Sequence, residues 1–426
     1  LKAQGMASLE SPSLLKFLVF DGHGGGILDL VDQLVRAFSA SKSISLTVVC
    51  VYWYCEQTRS ELYKRLRGIP DACDSEKDCL RLLQQLRQMT TWIHKLGPDV
   101  DDLSSVEDTK QKKRFAEEFR GTVERFDMVF CQFPFSLCTY FLRFSITVAV
   151  RVWNRFDFFA CSQENRAAAK RLLHQISRTG LLYSASLVDL LYVKRFVGLT
   201  ASLWPSLGLY TEKYSNKKKK LRHEQILVVP DTSRKDEMFP CFEAIQRYLE
   251  AIRAESRERQ LPYTFLNLKE AYPQFEFQDL AAHSFALVLP YACPTITIDE
   301  VHALGLSLLV PSPGMLAILH RKYGVLCQMF SAPWCANASF LGHTDLMLEH
   351  YLPNCNFYHW PGVYKFSSLD ELFALIPNIP DDNEGRLEIR KHLFEVSAGT
   401  SLMLASDVGT RLQNKIHHVL GRRPGW

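Results

Sequence analysis

The 426-residue sequence has little net charge and no long apolar run. Fifty basic residues face 46 acidic residues, and a net charge of +4 is too small to indicate a nucleic-acid binder. Residues 130–150 approach membrane-spanning length, but they carry Gln132, Pro134 and Arg143, which a bilayer core disfavours. Residues 1–13 contain no apolar run of signal-peptide length. We expect a cytoplasmic protein, or a membrane-anchored one if an N-terminal segment is missing.

The twelve cysteines show no metal-binding pattern. No C-x-x-C pair and no zinc-type spacing with histidine occurs among Cys50, Cys55, Cys73, Cys79, Cys131, Cys138 and Cys161. Cys50, Cys131 and Cys293 lie inside apolar stretches, where we expect free, buried thiols. The pattern favours a reducing compartment and predicts no metal site.

Apolar runs alternate with helical periodicity through the first half of the chain. Residues 16–21 (KFLVFD) and 45–54 (SLTVVCVYWY) predict two parallel strands joined by a helix. Residues 56–126 are charged and mostly helical, which indicates an insertion. The alternation then resumes. It predicts strands at 127–132, 146–152, 181–185 and 202–205, with helices at 135–144, 167–176 and 188–197. Ser162 precedes the helix at 167–176 and is predicted to cap it.

The same alternation restarts after a basic run, Lys217 to Lys220. It predicts strands at 225–230, 263–268, 285–290, 306–311 and 356–358, with helices at 240–255, 277–283, 297–304, 367–376 and 384–420. Two β/α series of this kind predict an α/β protein with two Rossmann-like domains and a long C-terminal helical tail.

The predicted elements divide the chain into four parts. Residues 1–215 form the first domain, including the insertion at about 56–126, and residues 216–224 form a basic linker. Residues 225–383 form the second domain, and residues 384–426 form helices that pack across both domains. The linker lysines are expected to be solvated, with peripheral contact to phosphate or an anionic membrane as the alternative.

One helix start in the second domain has the composition of an anion site. The strand at 285–290 is followed by a loop and then by Thr297-Ile298-Asp299-Glu300, which has the T-x-x-E form of a capping box. Free N–H groups and the positive end of the helix dipole would face a phosphate there, beside the hydroxyls of Thr295 and Thr297. On the tetrapeptide alone, a plain helix cap is the favoured explanation.

The longer string FALVLPYACPTITIDEVHALGLSLLVPS, residues 285–312, resembles the donor-site segment of GT-B glycosyltransferases. In that family the acidic residue at the helix start holds the ribose of a nucleotide sugar, and the resemblance assigns this role to Glu300. Residues 226–245 resemble the strand, basic loop and helix that open the nucleotide domain, where Arg234 and Lys235 match the position that meets the diphosphate. Many retaining members carry two glutamates seven residues apart here, whereas this chain has Ala292 in the preceding loop, so the stereochemistry is not implied.

The glycine-rich segment Gly22-His23-Gly24-Gly25-Gly26 follows the first strand, as the acceptor-side loop does in GT-B enzymes. Glycines such as Gly24 and Gly25 let backbone N–H groups approach a substrate closely. A neutral imidazole takes a proton from an acceptor hydroxyl near neutral pH, and some inverting members place a histidine base here. His23 is therefore a candidate general base, with a flexible turn carrying an exposed histidine as the alternative.

Two other enzyme classes fit the glycine-rich segment less well. H-G-G-G is the oxyanion-hole motif of lipases and esterases, but the chain contains no G-x-S-x-G nucleophile elbow. The glycines also miss the G-x-G-x-x-G spacing, and the next strand ends without the acidic residue of a dinucleotide site. A hydrolase and a dinucleotide oxidoreductase are both disfavoured.

The resemblance implies a GT-B glycosyltransferase whose two domains face a cleft. Such an enzyme transfers a sugar from a nucleotide-sugar donor, which is a co-substrate, to a glycan, protein or small-molecule acceptor, and we expect no metal or other cofactor. The rival hypothesis is a non-catalytic GT-B-like module that keeps the fold for binding or assembly. Nucleotide-sugar binding distinguishes the two.

Overall fold

The computed structural model describes most of the chain. The described residues are 14–21, 24–38, 44–50, 81–82, 84–89, 106–132, 135–153, 162–215, 221–229, 241–293, 295–327, 347–379 and 383–420.

Six parallel strands form the first sheet, in the order β2-β1-β3-β4-β5-β6. The strands are β1 (Leu15–Asp21), β2 (Ile44–Cys50), β3 (Met128–Cys131), β4 (Thr147–Val152), β5 (Leu181–Ser184) and β6 (Ser202–Leu203). Their helices are α1 (Gly24–Phe38), α2 (Val106–Val123), α3 (Gln163–Thr179) and α4 (Leu187–Val197), with a 3-10 helix at Phe135–Arg143. Strands β3 and β4 are buried along their whole length, as their mainly apolar sequences predict, although β4 carries Arg151.

Gly24, Gly25 and Gly26 form the first turn of α1 rather than part of a loop. The helix begins at Gly24, whereas the sequence predicts it from Ile27. A Cβ atom on Gly26 would lie 2.3 Å from Nε2 of Gln132 and 3.0 Å from the ring of Trp153. Glycine at this position therefore allows α1 to pack closely against the ends of β3 and β4.

Five parallel strands form the second sheet, in the order β11-β10-β9-β7-β8. The strands are β7 (Gln225–Val229), β8 (Thr264–Asn267), β9 (Phe285–Val288), β10 (Ser307–Pro311) and β11 (Val363–Phe366). The helices are α5 (Cys241–Glu258), α6 (Leu268–Ala271), α7 (Phe277–Leu280), α8 (Ile296–Ala303), α9 (Pro313–Tyr323) and α10 (Leu369–Leu375). The predicted pair of Rossmann-like β/α domains is confirmed by the two parallel sheets.

The prediction of a strand at 356–358 is wrong. Asn356–His359 is a 3-10 helix, and the last strand is β11, which pairs with β10. The Tyr358 side chain turns inward from this helix, and its hydroxyl donates at 2.7 Å to the carbonyl of Pro311, the last residue of β10, which holds the segment against the end of that strand. Helix α9, which the sequence analysis missed, begins with a proline and is capped by Ser312, whose hydroxyl accepts from the N–H of Met315.

The long C-terminal helix, α11 (Asn383–Leu420), contacts both halves of the molecule. Leu404 and Val408 are buried beside α1, and Ile389 and Leu393 pack with Ala303 of α8. None of the helices in the described ranges is long and apolar enough to span a membrane.

Two cysteine pairs contradict the expectation of a free thiol at Cys293. Its sulfur is bonded to that of Cys355, 62 residues away, and Cys241 is bonded to Cys327. Both contacts join segments far apart in the sequence, which is why spacing alone did not reveal them. Cys131 is free and buried, as expected.

A buried ion pair lies at the centre of the first domain. Arg151 on β4 and Asp29 on α1 are each 1% exposed, and both terminal nitrogens of the guanidinium donate to one carboxylate oxygen at 2.9 Å. The guanidinium also donates to the Trp204 carbonyl at 2.9 Å and to Gln132 Oε1 at 3.0 Å. Gln33 donates to Asp29 and accepts from the Trp204 indole at 2.9 Å. A charge pair this deeply buried persists only when such hydrogen bonds satisfy it.

The second oxygen of Asp29 holds the segment that leaves the first domain. We call residues 207–215 the connector. The N–H groups of Leu207 and Gly208 both donate to Oδ1 of Asp29 at 3.0 Å, and Ser206 Oγ donates to Oδ2 at 3.1 Å. The connector continues as the 3-10 helix Leu209–Tyr214, so the ion pair fixes where the chain departs toward the second domain.

Substituting Asp29→Asn is expected to lower the free energy of unfolding by about 3–5 kcal/mol, because it leaves the Arg151 guanidinium buried without a counter-charge. The matched control is Glu243→Gln, which breaks an exposed helix pair with Arg247 and should cost less than about 1 kcal/mol. Urea denaturation monitored by tryptophan fluorescence measures both. Equal effects of the two substitutions would contradict the importance of the buried pair.

Candidate functional site

In each sheet the strand order reverses at one point. In an open parallel sheet, ligands bind at the carboxyl ends of the strands where the strand order reverses. In the second sheet this point lies between β7 and β9, whose last paired residues are Val229 and Val288. In the first sheet it lies between β1 and β3, where Phe20 pairs with Cys131. The loops that follow all four strands therefore begin at these two switch points.

Helix α8 starts at the second switch point, but not with the predicted capping box. Thr295 is the N-cap residue and Thr297 is the second residue of the helix, so the expected pairing of Thr297 with Glu300 is wrong. The Thr295 hydroxyl donates to the Ala292 carbonyl at 3.2 Å instead of capping the helix. The Thr295 carbonyl accepts from the N–H groups of Ile298 and Asp299 at 2.9 Å and 3.4 Å, so Thr295 serves the first turn of α8 through its backbone rather than its side chain.

Glu300 lies in the middle of α8 and meets the connector. The Tyr210 hydroxyl donates to the Glu300 carboxylate. Thr211 Oγ1 lies 3.1 Å from the Glu300 carbonyl oxygen and 2.9 Å from the Gly208 carbonyl oxygen, and these two acceptors share its single hydrogen. Tyr210 is fully buried and its ring contacts Phe277 edge-on at 5.8 Å, whereas Glu300 is half-buried. The carboxylate assigned to a ribose thus already has a protein partner from the other domain.

Gly208 brings the connector backbone directly onto α8. Its φ of +61° lies in the left-handed region, and a Cβ atom there would lie 2.6–2.7 Å from the backbone of Asp299 and Glu300. Only glycine fits both the conformation and the space. The connector therefore joins the two domains by backbone packing as well as by side-chain hydrogen bonds.

The acidic groups at this junction bind protons unusually tightly. Burial, opposed by the Tyr210 hydrogen bond and assisted by the charge of Asp29, raises the pKa of Glu300 from 4.5 to about 7. Burial and then the Asp29 charge raise the pKa of Asp299 well above its ordinary value, while Arg151 acts in the opposite direction. Burial also raises the pKa of Tyr210. Perturbed acids of this kind cluster at functional sites, although structural ion networks produce them too.

The structure describes only part of the predicted site. Thr295, Thr297 and Glu300 are brought together on α8, and Gly24 and Gly25 form the first turn of α1. The other candidates lie outside the described residues, namely His23, Arg234, Lys235 and the Lys217–Lys220 run. Within the described ranges, no cluster of three or more histidine, cysteine, aspartate or glutamate side chains could hold a metal ion.

Sequence reasoning missed the residues that surround Glu300. A charged residue inside the apolar strand TVAVRV was a usable indication that Arg151 needs a buried partner. Asp29, within the mainly apolar helical segment ILDLVDQLV, indicated a buried acidic partner in the same way. Nothing in the local pattern distinguished Tyr210, because its partner lies 90 residues away.

Comparison with known proteins identifies distant similarities of fold. No protein-family model matches the chain, and no curated protein does. Similar solved structures include Glycyrrhiza uralensis UGT73P12 complexed with glycyrrhetinic acid 3-O-monoglucuronide, at 11% identity and a TM-score of 0.43, covering 96% of this chain and 98% of that one. Medicago truncatula UGT71G1 complexed with UDP-glucose has 8% identity and a TM-score of 0.39, covering 90% and 98%. Acinetobacter baumannii MurG has 10% identity and a TM-score of 0.37, covering 90% and 98%.

These similarities are too distant to support an argument about activity. The assignment of two Rossmann-like domains rests on the strand orders of this chain itself.

Substituting Gly208→Ala is expected to destabilise the protein by more than about 2 kcal/mol, because the new Cβ atom meets backbone that cannot move aside. Gly198→Ala is the matched control, since Gly198 also has a positive φ of +78° but has open space around its Cβ position. That control should cost only about 1 kcal/mol. Thermal unfolding of both variants measures the difference, and equal losses would show that the connector does not pack against α8.

The raised pKa of Glu300 predicts a pH dependence of stability. A carboxyl group whose folded pKa exceeds its unfolded value of 4.5 stabilises the fold at lower pH and loses that contribution as the pH rises toward about 7. The free energy of unfolding of the wild type should therefore fall relative to Glu300→Gln between about pH 4.5 and 7, and the difference should be constant above that. Urea denaturation across this range provides the measurement. Parallel stability curves for the two proteins would contradict the raised pKa.

Proposed function

We propose that the protein is a glycosyltransferase that uses a nucleotide-sugar donor. The observation that carries the proposal is the junction of β7 and β9, whose ends pair at Val229 and Val288 at the switch point of the second sheet. The two segments that resemble the GT-B donor site, residues 226–245 and 285–312, comprise these two strands and the residues that follow them. Two segments that are separated by about 60 residues in the sequence thus begin with neighbouring strands, β7 and β9. In sheets of this kind, a nucleotide binds at the carboxyl ends of such strands.

Each group in the proposed site has a distinct role. Glu300 accepts hydrogen bonds from the ribose, and Thr295 and Thr297 approach the phosphates together with the N-terminal amides of α8. Arg234 or Lys235 neutralises the charge that develops on the departing nucleoside diphosphate. In the first domain, His23 removes the proton of the acceptor hydroxyl if the enzyme inverts, with Gly24 and Gly25 beside it. The reaction needs a nucleotide sugar as co-substrate and no other cofactor.

We do not propose a cytoplasmic location, although the sequence favours one. Two bonded cysteine pairs, Cys241 with Cys327 and Cys293 with Cys355, are more typical of an oxidising compartment.

Calorimetric titration with UDP-, GDP- and ADP-linked sugars tests the function. We expect one nucleotide class to bind, and Glu300→Ala to weaken that binding about 10- to 100-fold, because hydrogen bonds to a charged acceptor are lost. Glu243→Ala, on the exposed face of α5, is the control and should bind as the wild type does. Failure of every donor to bind would refute the enzyme, and unchanged affinity in Glu300→Ala would refute the assignment of that residue.

A non-catalytic module is the second candidate, and one observation favours it. The Glu300 carboxylate is engaged by Tyr210, and the connector packs on the same turn of α8. In a module that keeps the fold for assembly, this acid would serve to hold the domains together. The same titration then shows no binding of any nucleotide sugar, while Glu300→Ala still lowers the free energy of unfolding.

A further inference from the structure

The first domain contributes a residue to the proposed donor site. We propose that Tyr210 is a positioning residue for Glu300, holding its carboxylate in one orientation so that a vicinal diol of the ribose binds to the remaining lone pairs. The inference rests on the proposed function, because it concerns how the same acid receives a donor. It adds a specific contribution from the connector, which neither the resemblance nor the strand order indicates.

The geometry of the contact supports positioning. Tyr210 is fully buried, its ring is fixed against Phe277, and Thr211 holds the carbonyl of Glu300 at 3.1 Å from the neighbouring position. The residue that donates to the carboxylate is therefore itself immobilised. A glutamate side chain has three rotatable bonds, and a fixed hydroxyl donor removes much of that freedom before a ligand arrives.

A carboxylate has room for both partners. Its two oxygens offer about four lone-pair sites, and among the described side chains Tyr210 uses one of them through Oε1. A ribose diol needs two more acceptor sites. Tyr210 and a ribose therefore share Glu300 without competing, provided that the carboxylate is ionised, since a protonated carboxyl would turn one acceptor into a donor.

The surrounding charges make that ionisation depend on Tyr210. The groups facing this acid are Asp29 on α1 and Asp299 on α8, with Arg151 on β4 next to both aspartates. Burial and the Asp29 charge raise the pKa of Glu300 to about 7, and the Tyr210 hydrogen bond is the contribution that lowers it. Loss of the hydroxyl should leave Glu300 largely protonated at neutral pH.

The first test of the proposal uses Tyr210→Phe in the absence of any ligand. The experiment measures, at each pH, how much the free energy of unfolding changes when Glu300 is replaced by Gln, with and without Tyr210→Phe. The pH above which this change becomes constant should be about one unit higher with Tyr210→Phe, because a hydrogen bond to the ionised form of Glu300 is lost. Tyr214→Phe is the matched control, since Tyr214 lies on the same 3-10 helix, contacts the same Phe277 ring and does not bond to Glu300. Its levelling-off pH should equal that of the wild type. An unchanged value in Tyr210→Phe overturns the proposal whether or not the protein binds a nucleotide.

Donor binding provides the second measurement, with calorimetric titrations of UDP-, GDP- and ADP-linked sugars between pH 6 and 9. Tyr210→Phe should weaken binding about tenfold at pH 7 and recover toward wild-type affinity as the pH rises, whereas Tyr214→Phe should bind normally. A loss that is the same at every pH would indicate a purely structural role and overturn the proposal. Tighter binding would show that Tyr210 competes with the ribose and would also overturn it. If the ligand-free pH shift occurs but the wild type binds no donor, the proposed function is the part that fails, and the role in ribose binding falls with it.

Discussion

The ion pair between Asp29 and Arg151 determines how the two domains are joined. Burying two charges costs more than their attraction returns unless hydrogen bonds satisfy every remaining atom, and here α1, β4 and the segment around Trp204 provide those bonds. The second oxygen of Asp29 then accepts from the first two N–H groups of the connector. The Asp29 carboxylate thus binds both to Arg151 in the core of the first domain and to the beginning of the connector that leads to the second domain.

The connector transmits this constraint to the candidate site. Gly208 packs against the backbone of α8, Thr211 holds a carbonyl of that helix, and Tyr210 meets its acidic side chain, Glu300. Burial is the main cause of the raised pKa of Glu300, and the charge of Asp29 adds to it, so the same buried carboxylate also influences the protonation of the proposed ribose acceptor. The site is therefore a property of the junction between the domains rather than of the second domain alone.

The sequence predicts the alternation of strands and helices well, because buried parallel strands are uninterrupted apolar runs and helices show their own period. It also predicts α8, the helix that carries Glu300. It fails where tertiary packing decides the local structure: Asn356–His359 is a 3-10 helix whose Tyr358 hydroxyl donates to the Pro311 carbonyl, and α8 begins at Ile296, so that Thr297 and Glu300 form no capping box. Contacts such as that of Tyr210 with α8 join positions about 90 residues apart, and no local pattern encodes them.

Hydrogen exchange of the α8 amides in Asp29→Asn tests most directly whether the ion pair governs the site. The account predicts faster exchange at residues 296–303 in the variant than in the wild type, because the connector is released from Asp29 and no longer holds the helix. Amides of α5, in the same domain but away from the connector, should exchange as they do in the wild type. If α8 remains as protected as in the wild type while the first domain is destabilised, the connector does not couple the ion pair to Glu300.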